Sequence, residues 1–211
     1  MRSRRDLRRV NAWMNQPAIM ERLLMQQLSG VAPRRLVDLG GGDGTFVLRL
    51  ARRLAPVWPD VDVLLIDRQD LVTNETRRGF RALGWRLETV SADIFEFLQH
   101  ANREGTDAMI ANLFLHHFSS GELGQFFQHV ARLSTVFAAC EPRRGRLALA
   151  GSRALWMLGC NWVTRHDAVT SVQAGFRGSE LSALWPADGD WLLQEHPAGL
   201  FTHCFAARHV D

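Results

Sequence analysis

Leu36-Val-Asp-Leu-Gly-Gly-Gly-Asp-Gly-Thr-Phe46 is the stretch on which the reading of this chain turns. A short apolar run ends in glycines, and the residues after it, Thr45–Leu54, carry apolar side chains at helical spacing. The pattern is strand, tight turn, helix. Glycines accept positive φ and let a backbone approach a partner closely, while a helix start presents unpaired N–H groups. Many nucleotide sites have this shape, so the details must separate them. A dinucleotide loop needs G-x-G-x-x-G, but Gly40-x-Gly42 is followed by Asp43-Gly44-Thr45 and the third glycine is missing. A phosphate-binding P-loop needs a lysine, and the chain contains none. Carboxylates stand on both sides, at Asp38 and Asp43. Two acids repel a pyrophosphate and attract an ammonium or a sulfonium, so the loop suits a zwitterion with a cationic centre.

Working outward, the flanking segments alternate. Leu36–Leu39, Val61–Ile66, Arg86–Val90, Ala108–Leu113 and Val136–Cys140 read as strands. Thr45–Leu54, Leu71–Leu83, Ile94–His100 and Gly121–Leu133 read as helices between them. Such order implies a parallel sheet with helices on both faces. Trp191–Glu195, a turn at Pro197-Ala-Gly199 and Leu200–Arg208 read as an antiparallel hairpin closing one sheet edge. Residues 10–28 carry apolar side chains at helical spacing around Pro17 and read as two short helices packed on the larger domain. The expected fold is α/β, with a Rossmann-like seven-stranded, mostly parallel sheet, an antiparallel C-terminal hairpin and a short N-terminal helical addition.

Composition removes several chemistries. All 25 Lys-plus-Arg positions are arginine and there is no tyrosine, so a lysine Schiff base, a lysine base and a tyrosine acid are excluded. Proton transfer falls to His, Asp, Glu, Cys or water. Three widely spaced cysteines, Cys140, Cys160 and Cys204, argue against a disulfide framework or a zinc cluster and fit a reducing cytoplasm. No apolar run is long enough to span a bilayer. The start, Met1-Arg-Ser-Arg-Arg-Asp-Leu-Arg-Arg-Val10, lacks the apolar core of a secretion signal. Its five arginines suit a solvated terminus, or contact with nucleic acid or anionic lipid.

Asp38-x-Gly40-x-Gly42-x-Gly44 after the first strand resembles the motif of the class I S-adenosylmethionine-dependent methyltransferases. Other elements follow in matching order over roughly residues 30–210. The resemblance implies that S-adenosylmethionine binds here and leaves as S-adenosylhomocysteine. Asp38, Gly40, Gly41 and Gly42 then form the cofactor loop. Asp67, ending Val63-Leu-Leu-Ile-Asp67, takes the ribose hydroxyls, with Arg68 beside it. In Ser91-Ala-Asp-Ile94, Asp93 meets the adenine amino group and Ile94 its ring. Asn112 and Leu113 line the methionine part, and Leu115-His-His-Phe118 resembles a stretch of small-molecule methyltransferases, with His117 placed at the cofactor. Each acid alone would be an ordinary helix cap; the order and spacing carry the resemblance.

Methyl transfer from a sulfonium needs the acceptor held in line, and a hydroxyl or ring-carbon acceptor also needs a proton removed. His116, at the carboxyl edge of the fourth strand, and His166, in Thr164-Arg-His-Asp-Ala168, are the candidate catalytic bases. Glu141 reaches the same edge and is expected to pair with Arg143 or Arg144. Adjacent His116 and His117 do not make a metal site, and none is expected. Residues 1–29 form an N-terminal arm or lid, with Trp13, Met14 and Met20 as its apolar contacts. Residues 30–211 form the cofactor domain, with an acceptor-binding insertion at about 152–186 that is rich in aromatics: Trp156, Met157, Trp162, Phe176 and Trp185 among them. The expected acceptor is a small aromatic or polyketide-like metabolite, methylated on O or C. RNA or protein methylation and a non-catalytic binding subunit are the alternatives. Nucleic acid is disfavoured as a partner because no Asn/Asp-Pro-Pro-aromatic follows strand four; a homodimer is left open.

Overall fold

The computed structural model describes residues 15–101, 106–145, 170 and 172–210. Seven strands form one sheet: β1 (Arg35–Leu39), β2 (Asp62–Asp67), β3 (Arg86–Ser91), β4 (Ala108–Asn112), β5 (Val136–Pro142), β6 (Trp191–Ala198) and β7 (Thr202–His209). Their order is β3-β2-β1-β4-β5-β7-β6. The first five run parallel, and β7 lies antiparallel between β5 and β6. The chain winds outward from β1 to β3, then returns to β4 on the other side of β1. That reversal opens a crevice at the carboxyl ends of β1 and β4, where open α/β sheets bind ligands.

The helices are α1 (Gln16–Gln27), α2 (Thr45–Leu54), α3 (Asn74–Ala82), α4 (Ile94–His100) and α5 (Ser120–Leu133). Side chains alternate along each strand, so each central strand feeds two cores. Leu36, Ile110 and Ala138 point to one face, with Met20 and Leu24 of α1, Leu50 of α2 and Phe80 of α3. Leu39, Ala111 and Ala139 point to the other, with Leu98 of α4 and Phe126 and Phe127 of α5. The second core is aromatic: Phe127 and Phe137 lie 5.8 Å apart, and Trp185 sits 5.2 Å from Phe127 and 5.5 Å from Phe205. Edge-to-face and tilted rings at these distances add about 0.5–1.5 kcal/mol per pair to the area they bury.

Three expectations shift. Pro17, expected between two short helices, lies within the first turn of α1, where its missing N–H costs nothing; the residues before 15 lie outside those described. The helix expected from Leu71 starts at Asn74, because the Thr73 side chain accepts from the Thr76 N–H at 3.1 Å and caps it there. Pro197, expected in a turn, lies within β6. β6 is the outermost strand, where a residue without an N–H is tolerated, and the turn moves to residues 199–201. Met20 is fully buried in the core with α2 and the sheet, so the described part of the N-terminal segment is architecture. Among the described residues no helix is long and apolar enough to cross a membrane.

Candidate functional site

The glycine loop connects β1 to α2 at the crevice, and its own hydrogen bonds define what it can accept. Gly40 and Gly41 both donate to the Ile66 carbonyl, at 2.8 and 3.2 Å. Gly42 donates to Asp67 Oδ2 at 3.0 Å, Gly44 to the Gly41 carbonyl at 3.0 Å, and Thr45 to Asp43 Oδ1 at 3.0 Å. A phosphate cradle works by offering such N–H groups to the ligand. Here five of them are already engaged within the protein, so the loop is no pyrophosphate nest.

The acceptors show the opposite. Asp38 is 1% exposed, and among the described residues neither carboxylate oxygen has a hydrogen-bond partner. Burial pushes its carboxyl up to about 7, and the charge of Asp67 adds to the rise. Asp38 stands in register with Ile110, two residues before Asn112, which places Asp38 and Asn112 on the same sheet face. The Asn112 Oδ1 is likewise buried without a partner. Bare acceptors at a strand edge are costly unless a donor arrives. The glycines divide their roles. A Cβ at Gly40 would fall 2.1 Å from the Phe114 ring, so its absence there serves packing. Gly42, at φ +57°, would carry a Cβ into open space, so the loop faces outward at that point. These features fit a ligand with a cationic head: acceptors below, an open glycine above, and the Asp67 carboxylate beside them.

The end of β4 is built around a second buried carboxylate. Leu113 has φ 54°, a left-handed conformation that costs a branched residue about 1–2 kcal/mol. Its N–H reaches the Cys140 carbonyl at 2.9 Å. The next residues then turn their N–H groups onto Glu141: Phe114 and Leu115 each donate to Oε1 at 2.8 Å. The His116 ring nitrogen Nδ1 lies 2.7 Å from Oε2, and both side chains are buried. Glu141 already accepts from two backbone N–H groups, and the tautomer that fits it carries the hydrogen on Nδ1 and leaves Nε2 with its lone pair. The expected pairing of Glu141 with Arg143 or Arg144 is therefore wrong. Arg144 pairs with Glu180, and Arg143 donates to the Gly199 carbonyl at 3.1 Å. Glu141 is fully enclosed, and the loop after β4 offers donors that need an acceptor there.

His117 is exposed, with its ring 4.1 Å from that of His116. Desolvation and the neighbouring His116 hold its pKa below the usual value, against the pull of Glu141. At the β2 and β3 ends, Arg68 and Asp93 form an exposed ion pair of 2.6 Å. Asp93 also caps α4 through Phe95 and Glu96, and the Arg68 bond above all keeps its carboxyl below the ordinary range. Ile94 is buried in the aromatic-face core. His166 lies outside the described residues, as do Trp13, Met14, Trp156, Met157 and Trp162. Phe176 and Trp185, from the expected acceptor insertion, are buried in the core. Among the described residues no group of three or more His, Cys, Asp or Glu is placed to hold a metal ion.

Residues 36–135 match the family described as a methyltransferase domain. That match, with the fold around it, supports a class I S-adenosylmethionine-dependent methyltransferase. The methyltransferase fold recurs in solved structures. The plantazolicin methyltransferase BpumL, solved in complex with a triazolic desmethylPZN analog and SAH, aligns with TM-score 0.65 and 13% identity, over 99% of this chain and 90% of that one. An O-methyltransferase family protein from Burkholderia thailandensis aligns with TM-score 0.60 and 18% identity, over 94% of this chain and 57% of that one. By sequence, a carboxy-S-adenosyl-L-methionine synthase of Nautilia profundicola is 27% identical over 78 residues, or 37% of this chain, which spans only 30% of that protein's length. The cofactor of this methyltransferase family, S-adenosylmethionine, carries an ammonium and a sulfonium, the charges that the acceptor-rich loop fits. Sequence reasoning missed the Glu141–His116 pair. Its signal was a lone acid ending the apolar run Val136-Phe-Ala-Ala-Cys140, which must find donors once buried.

Proposed function

We propose that this chain transfers a methyl group from S-adenosylmethionine to a small, flat, largely apolar acceptor of aromatic or polyketide type, at oxygen or carbon. The observation that carries the reading is the contrast within the glycine loop: its N–H groups are spent internally, while the oxygens of Asp38 stand bare. When bound, the cofactor supplies an electrophilic methyl on a positively charged sulfur. Asp38 and Asn112 receive its cationic amino-acid end, and Asp67 takes the ribose hydroxyls. Asp93 and Ile94 flank the adenine, and Arg68 covers it. Leu113 and His117 line the edge where the methyl faces the acceptor.

His116 is the base. Glu141 fixes the ring so that Nδ1 is occupied and Nε2 takes the acceptor's proton. A Glu–His pair also stabilises the imidazolium that forms, by the same electrostatics that operate in catalytic triads. His166 is the second candidate base. The region from 152 to 186 supplies the acceptor wall, and residues before 15 the arm over it. The cysteine usage supports a cytoplasmic location.

Calorimetry with S-adenosylmethionine tests the cofactor; no heat at millimolar ligand would refute the assignment. Transfer of labelled methyl is then measured against a panel of phenols, with total RNA as the competing acceptor class. Mass spectrometry of the products separates acceptor methylation from chemistry on the cofactor itself. Label in RNA and none in phenols would overturn the acceptor class. Turnover unchanged in both His116→Ala and His166→Ala would remove the base.

A further inference from the structure

We propose that Asp38 is a neutral acid in the empty domain and that it ionises when the cationic end of the cofactor arrives, so that binding expels a proton. The inference rests on the cofactor assignment above and adds a chemical step to it. An unpaired carboxylate with 1% exposure cannot keep its charge cheaply, and protonation is the ordinary escape.

Among the described residues the surroundings offer no cation. From β2 the facing group is Asp67, an acid, and Leu65 packs against the same loop atoms. The glycine loop brings Asp43, a second acid, and presses Gly41 so close that a Cβ there would lie 2.6 Å from Asp38 Oδ2. β4 brings the amide of Asn112, and β5 brings the thiol of Cys140, itself pushed up by its contact with Cys204 and by burial. The arginines of the packed helices are directed elsewhere. Arg49 of α2 opens onto a cleft with Asn15 and Pro17 of the α1 end, and Arg77 of α3 binds Thr89 and Asp70. Glu141 and His116 are engaged with each other. Burial and Asp67 together carry the Asp38 carboxyl to about 7, within reach of physiological change. A ligand ammonium reverses both the missing partner and the missing counter-charge, and the proton leaves to solvent.

The test is calorimetry of the whole protein with S-adenosylmethionine in paired buffers of different ionisation enthalpy, between pH 5.5 and 7.5. Near pH 6 binding should release about one proton, and affinity should fall on the order of tenfold from pH 7.5 to 5.5. S-adenosylhomocysteine, which keeps the ammonium, should behave alike. Methylthioadenosine, which lacks it, should bind without releasing the proton. Asp38→Asn should bind more weakly, with no proton release and a flat pH dependence. The nucleoside arm decides the matter even if that variant does not fold. Binding at every pH without proton exchange, or equal release in Asp38→Asn, would overturn this inference alone. No binding at any pH would overturn the cofactor assignment with it.

Discussion

Two buried carboxylates end neighbouring parts of the same sheet edge, and they could hardly be treated more differently. Glu141, fully enclosed at the end of β5, receives two backbone N–H groups and an imidazole. Asp38, equally enclosed near the end of β1, receives nothing. The first is spent on architecture: it ties the loop after β4 to β5 and holds Leu113 in its strained conformation. The second is kept in reserve. A fold seldom leaves a buried acceptor bare, so the unpaired acid fits an arriving donor, while the paired one fixes the loop after β4 and the His116 ring. The His203–Glu195 pair supports the distinction. Its contact of 2.7 Å copies that of His116 and Glu141, yet it fastens Leu181 and Ser182 beneath the hairpin, away from the crevice.

The contrast breaks first at Glu141. Glu141→Ala strands two buried N–H groups and a histidine, and should cost about 3–5 kcal/mol, seen as a fall of roughly 10 °C or more in melting temperature. A variant within about 1 kcal/mol of the parent would show that Glu141 is not structural. Gly40→Ala comes next. The new methyl meets the Phe114 ring in a left-handed backbone, and denaturant titration should show a loss of about 2–4 kcal/mol. The same change at Gly42, which has open space, should cost only about 1 kcal/mol.

Asp38→Asn sharpens the comparison with a change of sign. The carboxyl of the folded protein titrates near 7, against 3.8 for an ordinary aspartate. The parent's stability therefore declines as pH rises from about 4 to 7, while the amide is indifferent. Thermal melts of the empty proteins should show the variant gaining about 1–3 kcal/mol on the parent between pH 4 and pH 8. A gap that does not widen with pH would contradict the neutral acid. Smallest is Arg68→Ala: the ion pair with Asp93 is exposed, and stability should move by less than about 0.5 kcal/mol, while cofactor affinity measured on the same variant tests the proposed adenine contact.

Deletion bears on the N-terminal segment in the same spirit. Removing residues 1–28 takes Met20 and Leu24 out of the core and should unfold the domain, whereas removing 1–14 tests the arm alone.

Much of this was legible beforehand because it is local. The strand–glycine–helix unit, the alternation that follows and the antiparallel end are written in periodicity, and α2 and α4 begin and end where their apolar spacing says. The partner of Glu141 was not legible. The arginines beside it in sequence looked natural, but the donors that claim it lie 25 to 27 residues earlier and reach it only through the β4–β5 pairing. Gly40 is the same case. Its glycine is readable as a turn, but the ring that forbids a side chain there belongs to Phe114, on another loop.

That contact sets a limit on any redesign of the enzyme. The loop after β1 and the loop after β4, which the proposed function assigns to the methyl donor and to the acceptor, share one van der Waals boundary at Gly40 and Phe114. Neither can be grafted or evolved as an independent module. On that assignment, a library that varies Phe114 to admit a new acceptor is expected to disturb the grip on the donor unless both loops are varied together.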